Sequence, residues 1–142
     1  MDAKTLGKVS VILEALDASG RHRFLALAQR RQVPAGGVVF HEGDMGDEFF
    51  VIARGRVRIS VDDLGADKEV AVLEHGSFFG EMAMMGGHAR TATAVAVEDA
   101  ELVAFAGLAV NELLKSYPAA RAALSRVGLL RVEDTMEKLT QG

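Results

Sequence analysis

Residues 33–61 read VPAGGVVFHEGDMGDEFFVIARGRVRISV. Short runs of apolar and β-branched residues, at 38–40, 49–53 and 57–61, are separated by glycines at 36, 37, 43, 46 and 55. In the last run Val57, Ile59 and Val61 alternate with Arg58 and Ser60, the period of a strand with one buried face. The pattern continues downstream at 70–73, 93–97 and 102–105, with Gly65, Gly76, Gly80, Gly86 and Gly87 between the runs. Short strands at a spacing of roughly 8–12 residues with glycine turns point to an antiparallel sandwich or barrel. The chain has 15 glycines in 142 residues, and ten of them lie between Val33 and Gly87. That excess over the usual ~7% is therefore local, and it belongs to the strand-rich segment.

The flanks carry a different period. Over residues 6–29 the apolar positions Leu6, Val9, Leu13, Leu16, Phe24, Leu25 and Leu27 follow helical spacing, interrupted around residues 17–20, where Asp17 or Ser19 is placed to cap a second short helix. Helical spacing returns over 108–116, and Pro118 opens a last helix with Leu129, Val132, Met136 and Leu139 on one stripe. The fold class read from this is α+β, mainly β, an antiparallel roll between helices. A single domain is expected over residues 1–142: N-terminal helices to 32, a β-roll over 33–106, and two C-terminal helices over 107–142.

Composition excludes several functions. Sixteen Lys and Arg against 20 Asp and Glu give a formal charge of −4, the wrong sign for a general nucleic-acid binder. With no Cys there is no disulfide, thiolate metal site or catalytic thiol. No signal peptide and no run of ~18 apolar residues is present, so a soluble, cytoplasmic protein is expected, with no membrane insertion.

The chemistry concentrates in residues 76–93, GSFFGEMAMMGGHARTAT. Phe78 and Phe79 end a strand, Gly80 permits a sharp turn, and 81–85 suffice for a single helical turn. One isolated turn has little stability of its own, but its N-terminus offers free N–H groups to an anion. Arg90 follows the Gly86-Gly87 bend and returns a planar fork of donors to the same point, with the Thr91 hydroxyl beside it. Glu81 accepts hydrogen bonds only, which suits a sugar hydroxyl. Anion donors beside a hydroxyl acceptor describe a sugar-phosphate site. The competing reading of Glu81 and Arg90 is a structural ion pair in a turn.

Phe79-Gly80-Glu81-Met82-Ala83, followed by Arg90-Thr91-Ala92-Thr93, resembles the phosphate-binding cassette of cyclic nucleotide-binding domains. Residues 33–44 and 49–57 resemble the glycine-marked early strands of the same family, and the similarity runs over roughly 8–139. The resemblance implies a jelly-roll-like β-roll holding cAMP or cGMP, with cAMP favoured. It implies that Arg90 pairs with the cyclic phosphate and Glu81 with the ribose 2′-hydroxyl. Phe79, Gly80, Met82 and Ala83 would contribute the backbone cradle, with Thr91 and Ala92 beside it. Ala89 departs from the proline common at that position, which removes stiffness but no ligand contact. The last helix is expected to close over the base with Arg131 stacked on it, and also to offer a surface for a homodimer. No catalytic residue, metal or other cofactor is expected. The effector is expected elsewhere, on a separate partner or on a parent protein of which this is one domain.

Two other readings compete. A cupin-like metal enzyme would use His41, His75 or His88, although no pair sits at a short ligand spacing. A ligand-free adaptor of the same fold would bind partners through the last helix or through Arg54, Arg56 and Arg58, which read as one face of one strand.

Overall fold

The computed structural model describes residues 10–80 and 89–124. Two short helices, α1 (Ser10–Glu14) and α2 (Ala18–Ala26), precede strands β1 (Gln29–Val33), β2 (Val38–Phe40), β3 (Glu48–Arg54), β4 (Val57–Asp63), β5 (Ala66–Leu73), β6 (Phe78–Phe79), β7 (Thr93–Ala96) and β8 (Ala100–Ala106), followed by helix α3 (Gly107–Leu114). Helical backbone resumes at Pro118 and is described to residue 124. The expected last-helix stripe from Leu129 onward lies outside the described residues.

The strands form two antiparallel four-stranded sheets, in the orders β1-β8-β3-β6 and β2-β7-β4-β5. The run Phe49-Phe50-Val51-Ile52 in β3 is apolar at every position because both of its faces are covered. Phe49 and Val51 join Phe24, Phe78, Phe105, Val110 and Leu114 in a cluster between the first sheet and the helices. Phe50 and Ile52 join Val57, Phe79, Ala94, Ala96 and Leu102 in a second cluster between the sheets. In the first cluster Phe105 stacks on both Phe24 and Phe49, with centroids 4.7 and 5.0 Å away. Each such side chain contributes about 1.5–3 kcal/mol when fully buried, so the helices are held by the sheet rather than by their own short length.

The sequence starts the roll at 33 with a first strand at 38–40, but a further strand, β1, precedes it from Gln29 to Val33. Its residues, QRRQV, are almost all exposed, so no apolar alternation marks them. Arg30 and Arg31 instead reach across to Glu101 and Glu48. The reading of Arg54, Arg56 and Arg58 as one strand face is also corrected. Arg54 ends β3 and Arg58 lies in β4, because the chain reverses at Gly55 with φ +90°. A Cβ at Gly55 would lie 2.6 Å from the Asp99 carbonyl oxygen, so the turn admits only glycine. Asp17 caps α2 as expected, its Oδ1 accepting from the Gly20 N–H at 2.8 Å.

Candidate functional site

Gly80 follows β6 and takes φ +84°, the left-handed region. A Cβ there would also fall 3.0 Å from Arg90 Nη1 and 3.2 Å from the Glu48 carbonyl oxygen. The position thus needs glycine both for its backbone turn and for the guanidinium packed on it. Arg90 Nη1 donates to the Gly80 carbonyl at 3.1 Å. Its guanidinium lies over the Phe40 ring, 4.2 Å from the centroid, a favourable placement for a cation on a π-face. Phe40 in turn packs against Phe50 and Phe79.

The backbone around Arg90 is strapped to residues 43–46. Arg90 N–H donates to the Asp44 carbonyl and Gly43 N–H donates to the Arg90 carbonyl, both at 2.8 Å, and Met45 bridges Ala89. Gly46 lets this loop approach closely, since a Cβ there would sit 3.1 Å from Arg90 Nη2.

Arg90 is only 7% exposed, and it and Ser60 are the buried polar or charged side chains of the described residues. Among those residues it makes no ion pair, and its one side-chain hydrogen bond goes to Gly80. Burial pulls its pKa below the ordinary value, while the fields of Glu48, Asp47 and Asp44 push back. A desolvated guanidinium is costly unless an anion meets it, and no carboxylate pairs with Arg90 among the described residues.

The adjoining acidic loop is itself fixed. Asp47 Oδ2 accepts from the Leu108 N–H at 3.1 Å in the first turn of α3, and Glu48 clamps Arg31 through two bonds of 2.6 and 2.8 Å. A cleft of about 610 Å³ opens beside Arg90 on the β1–β2 side, with Phe40, Phe50 and Leu102 in its apolar wall and Asp44, Asp47 and Glu48 in its polar one.

Of the residues singled out in the sequence, Gly80 and Arg90 are brought into direct contact. The Phe79 ring is buried in the core, stacked on Phe50 at 5.3 Å, leaving its backbone at the site. Thr91 is exposed and Ala92 half-buried next to Arg90. Glu81, Met82, Ala83 and Arg131 lie outside the described residues. Phe40, Gly46 and Asp47 were missed as site residues. The Gly43-Asp44-Met45-Gly46-Asp47 spacing was the available signal, since two glycines flanked by acids mark a loop built for close approach. No group of three or more potential metal ligands occurs among the described residues, and no described helix is long and apolar enough to cross a membrane.

Residues 30–117 match the family model described as cyclic nucleotide-binding domain. The cyclic AMP receptor protein of Thermus thermophilus is 42% identical over 81 residues, 56% of this chain and 38% of that protein. A cAMP-dependent protein kinase regulatory subunit of Mucor circinelloides is 33% identical over 86 residues, 61% of this chain and 20% of the subunit. The match thus spans well under half the length of these relatives. Among solved structures, Thermus thermophilus catabolite activator protein superposes with a TM-score of 0.78 at 30% identity, covering 92% of this chain and 62% of that one. The N-terminal domain of a Streptomyces coelicolor transcriptional regulator gives a TM-score of 0.71 at 26% identity, covering 97% and 95%.

Proposed function

The chain belongs to the cyclic nucleotide-binding domain family, and on that premise we propose that it is a non-catalytic receptor for a 3′,5′-cyclic nucleotide. The observation that carries the reading is Arg90, buried, without a carboxylate partner among the described residues, and held against the Gly80 turn. A cyclic phosphate bears a single negative charge and matches the guanidinium fork in shape. Glu81 is assigned to the ribose 2′-hydroxyl, and Met82 and Ala83 to the backbone cradle. Thr91 flanks phosphate and base, and Arg131 stacks on the base. cAMP is preferred to cGMP: the relatives quoted above carry cAMP in their names, whereas the Thr91 hydroxyl fits either nucleotide. The metal-dependent alternative draws no support from the described residues.

The route from ligand to helices runs through the loop at 43–48. One side of it touches Arg90 at Gly46, and the other caps α3 through Asp47. A phosphate on Arg90 offsets the positive field felt by Asp47 and so changes how firmly the carboxylate holds the first turn of α3. Signalling then requires that the nucleotide bind two helix arrangements with different affinity. The output is read by an effector on another chain or in a longer protein.

A thermal-shift series with cAMP, cGMP and AMP tests the proposal. A ligand present at 100 times its Kd adds about 2.7 kcal/mol of stability. Stabilisation by a cyclic nucleotide and not by AMP is expected, and no response to either cyclic nucleotide contradicts it.

A further inference from the structure

Tyr117 occupies the joint between α3, which ends at Leu114, and the helical backbone that resumes at Pro118. Its N–H donates to the Leu114 carbonyl, and its own carbonyl accepts from the N–H groups of Ala120 and Arg121. The residue therefore closes one helix and opens the next. Its hydroxyl donates to Asp17 Oδ1 at 2.8 Å, across 100 positions of sequence. That same oxygen caps α2 by accepting from Gly20 N–H at 2.8 Å. The tyrosine ring covers Gly20 so closely that a Cβ there would lie 2.8 Å from Cζ. Gly20 is buried inside α2 at a φ that is not left-handed, so its lack of a side chain serves the ring and not the helix.

We propose that Tyr117, Asp17 and Gly20 form a latch that ties the N-terminal helices to the pivot of the C-terminal segment and so sets nucleotide affinity. The inference rests on the nucleotide-receptor reading, in which the segment beyond Pro118 changes arrangement with occupancy. A contact made at the pivot in one arrangement and lost in the other weights the equilibrium between them, and ligand affinity moves with that weight. The Gly20 N–H first and the Tyr117 hydroxyl next lower the Asp17 pKa, with Arg21 and Arg23 adding smaller contributions, so the acceptor stays ionised.

Three variants test this by isothermal titration with cAMP. Tyr117→Phe removes only the hydroxyl. Gly20→Ala leaves the Asp17 cap and improves local helix propensity, but it pushes the ring off its seat. Asp17→Asn keeps an acceptor for both donors. The latch predicts that Tyr117→Phe and Gly20→Ala shift Kd in the same direction by about three- to tenfold, the range of one ordinary hydrogen bond, while Asp17→Asn, which keeps the acceptor oxygen, shifts it that way by less. Unchanged Kd in the first two variants, or shifts of opposite sign, overturns the proposal and leaves Tyr117 a purely structural contact. Amide hydrogen exchange without nucleotide gives a reading that does not depend on the ligand assignment. Exchange at Ala120 and Arg121 should accelerate in both variants relative to Leu113, and equal protection in wild type and variants overturns the latch even where no nucleotide binds.

Discussion

Arg58 and Arg90 are both held in antiparallel strands or their margins, and they are opposites. Arg58 lies on the outer face of β4, with its side chain 29% exposed, and meets Asp67 at 2.7 Å and Glu69 at 2.9 Å. Its pKa is raised, first by the Asp67 bond. Arg90 is 7% exposed, has a carbonyl and an aromatic ring in place of carboxylates among the described residues, and has its pKa lowered by burial. The half-buried arginine is paired with carboxylates, whereas the buried one has no carboxylate in contact among the described residues. On the nucleotide-receptor proposal, the anion that meets the buried guanidinium is the cyclic phosphate.

The largest expected effect separates these two residues. Arg90→Ala should weaken cyclic nucleotide binding by about 2–4 kcal/mol, the scale of a lost charge-assisted pair, whereas Arg58→Ala should leave Kd unchanged. Calorimetric titration of both variants checks it, and equal losses would erase the contrast. The glycine turns offer the next comparison. Gly55→Ala meets backbone at 2.6 Å and should destabilise the fold by about 2–3 kcal/mol through strain and clash without changing affinity in the folded fraction. Gly80→Ala meets the Arg90 guanidinium and should raise Kd beyond its cost in stability. Urea unfolding paired with titration separates the two outcomes.

Part of the fold is legible in the sequence itself. The alternation of Val57, Ile59 and Val61 marked β4, and the run 38–40 coincides with β2. The contact of Gly80 with Arg90 was legible because a turn-permitting glycine and an arginine returning after a glycine bend read as one cluster, whether around an anion or an ion pair. Periodicity carries local information, so it missed what depends on distant partners. β1 is polar and owes its place to pairing with β8, from Gln29 opposite Ala104 to Val33 opposite Ala100. The arginines at 54 and 58 looked continuous until the chain turned at Gly55. Asp17 was expected as a cap, but its second role, as acceptor for Tyr117, lies outside any local pattern.

Asp47→Asn retains an oxygen for the Leu108 N–H but removes the charge that Arg90 feels. It should change Kd less than Arg90→Ala and blunt the ligand-induced change in α3, read by amide exchange at Leu113 with and without cAMP. Asp17 is held below its ordinary 3.8 by the Gly20 N–H first and the Tyr117 hydroxyl next. A carboxylate with a depressed folded pKa stabilises above its unfolded pKa and loses that contribution as pH falls through the folded one. Wild type should therefore lose stability more steeply than Asp17→Asn below about pH 4, measured by urea midpoints across pH. The smallest effect belongs to Arg58→Ala, which removes surface pairs with Asp67 and Glu69 and should cost little stability, a cost that fades in salt.

The most direct test of the central claim is a calorimetric titration of cAMP into wild type and Arg90→Lys. Lysine keeps the positive charge and the fold but not the planar fork that meets Gly80 and a phosphate together. Stoichiometric binding by the wild type is expected, with a large loss in the lysine variant at unchanged thermal stability. Equal affinity in the two proteins would contradict it.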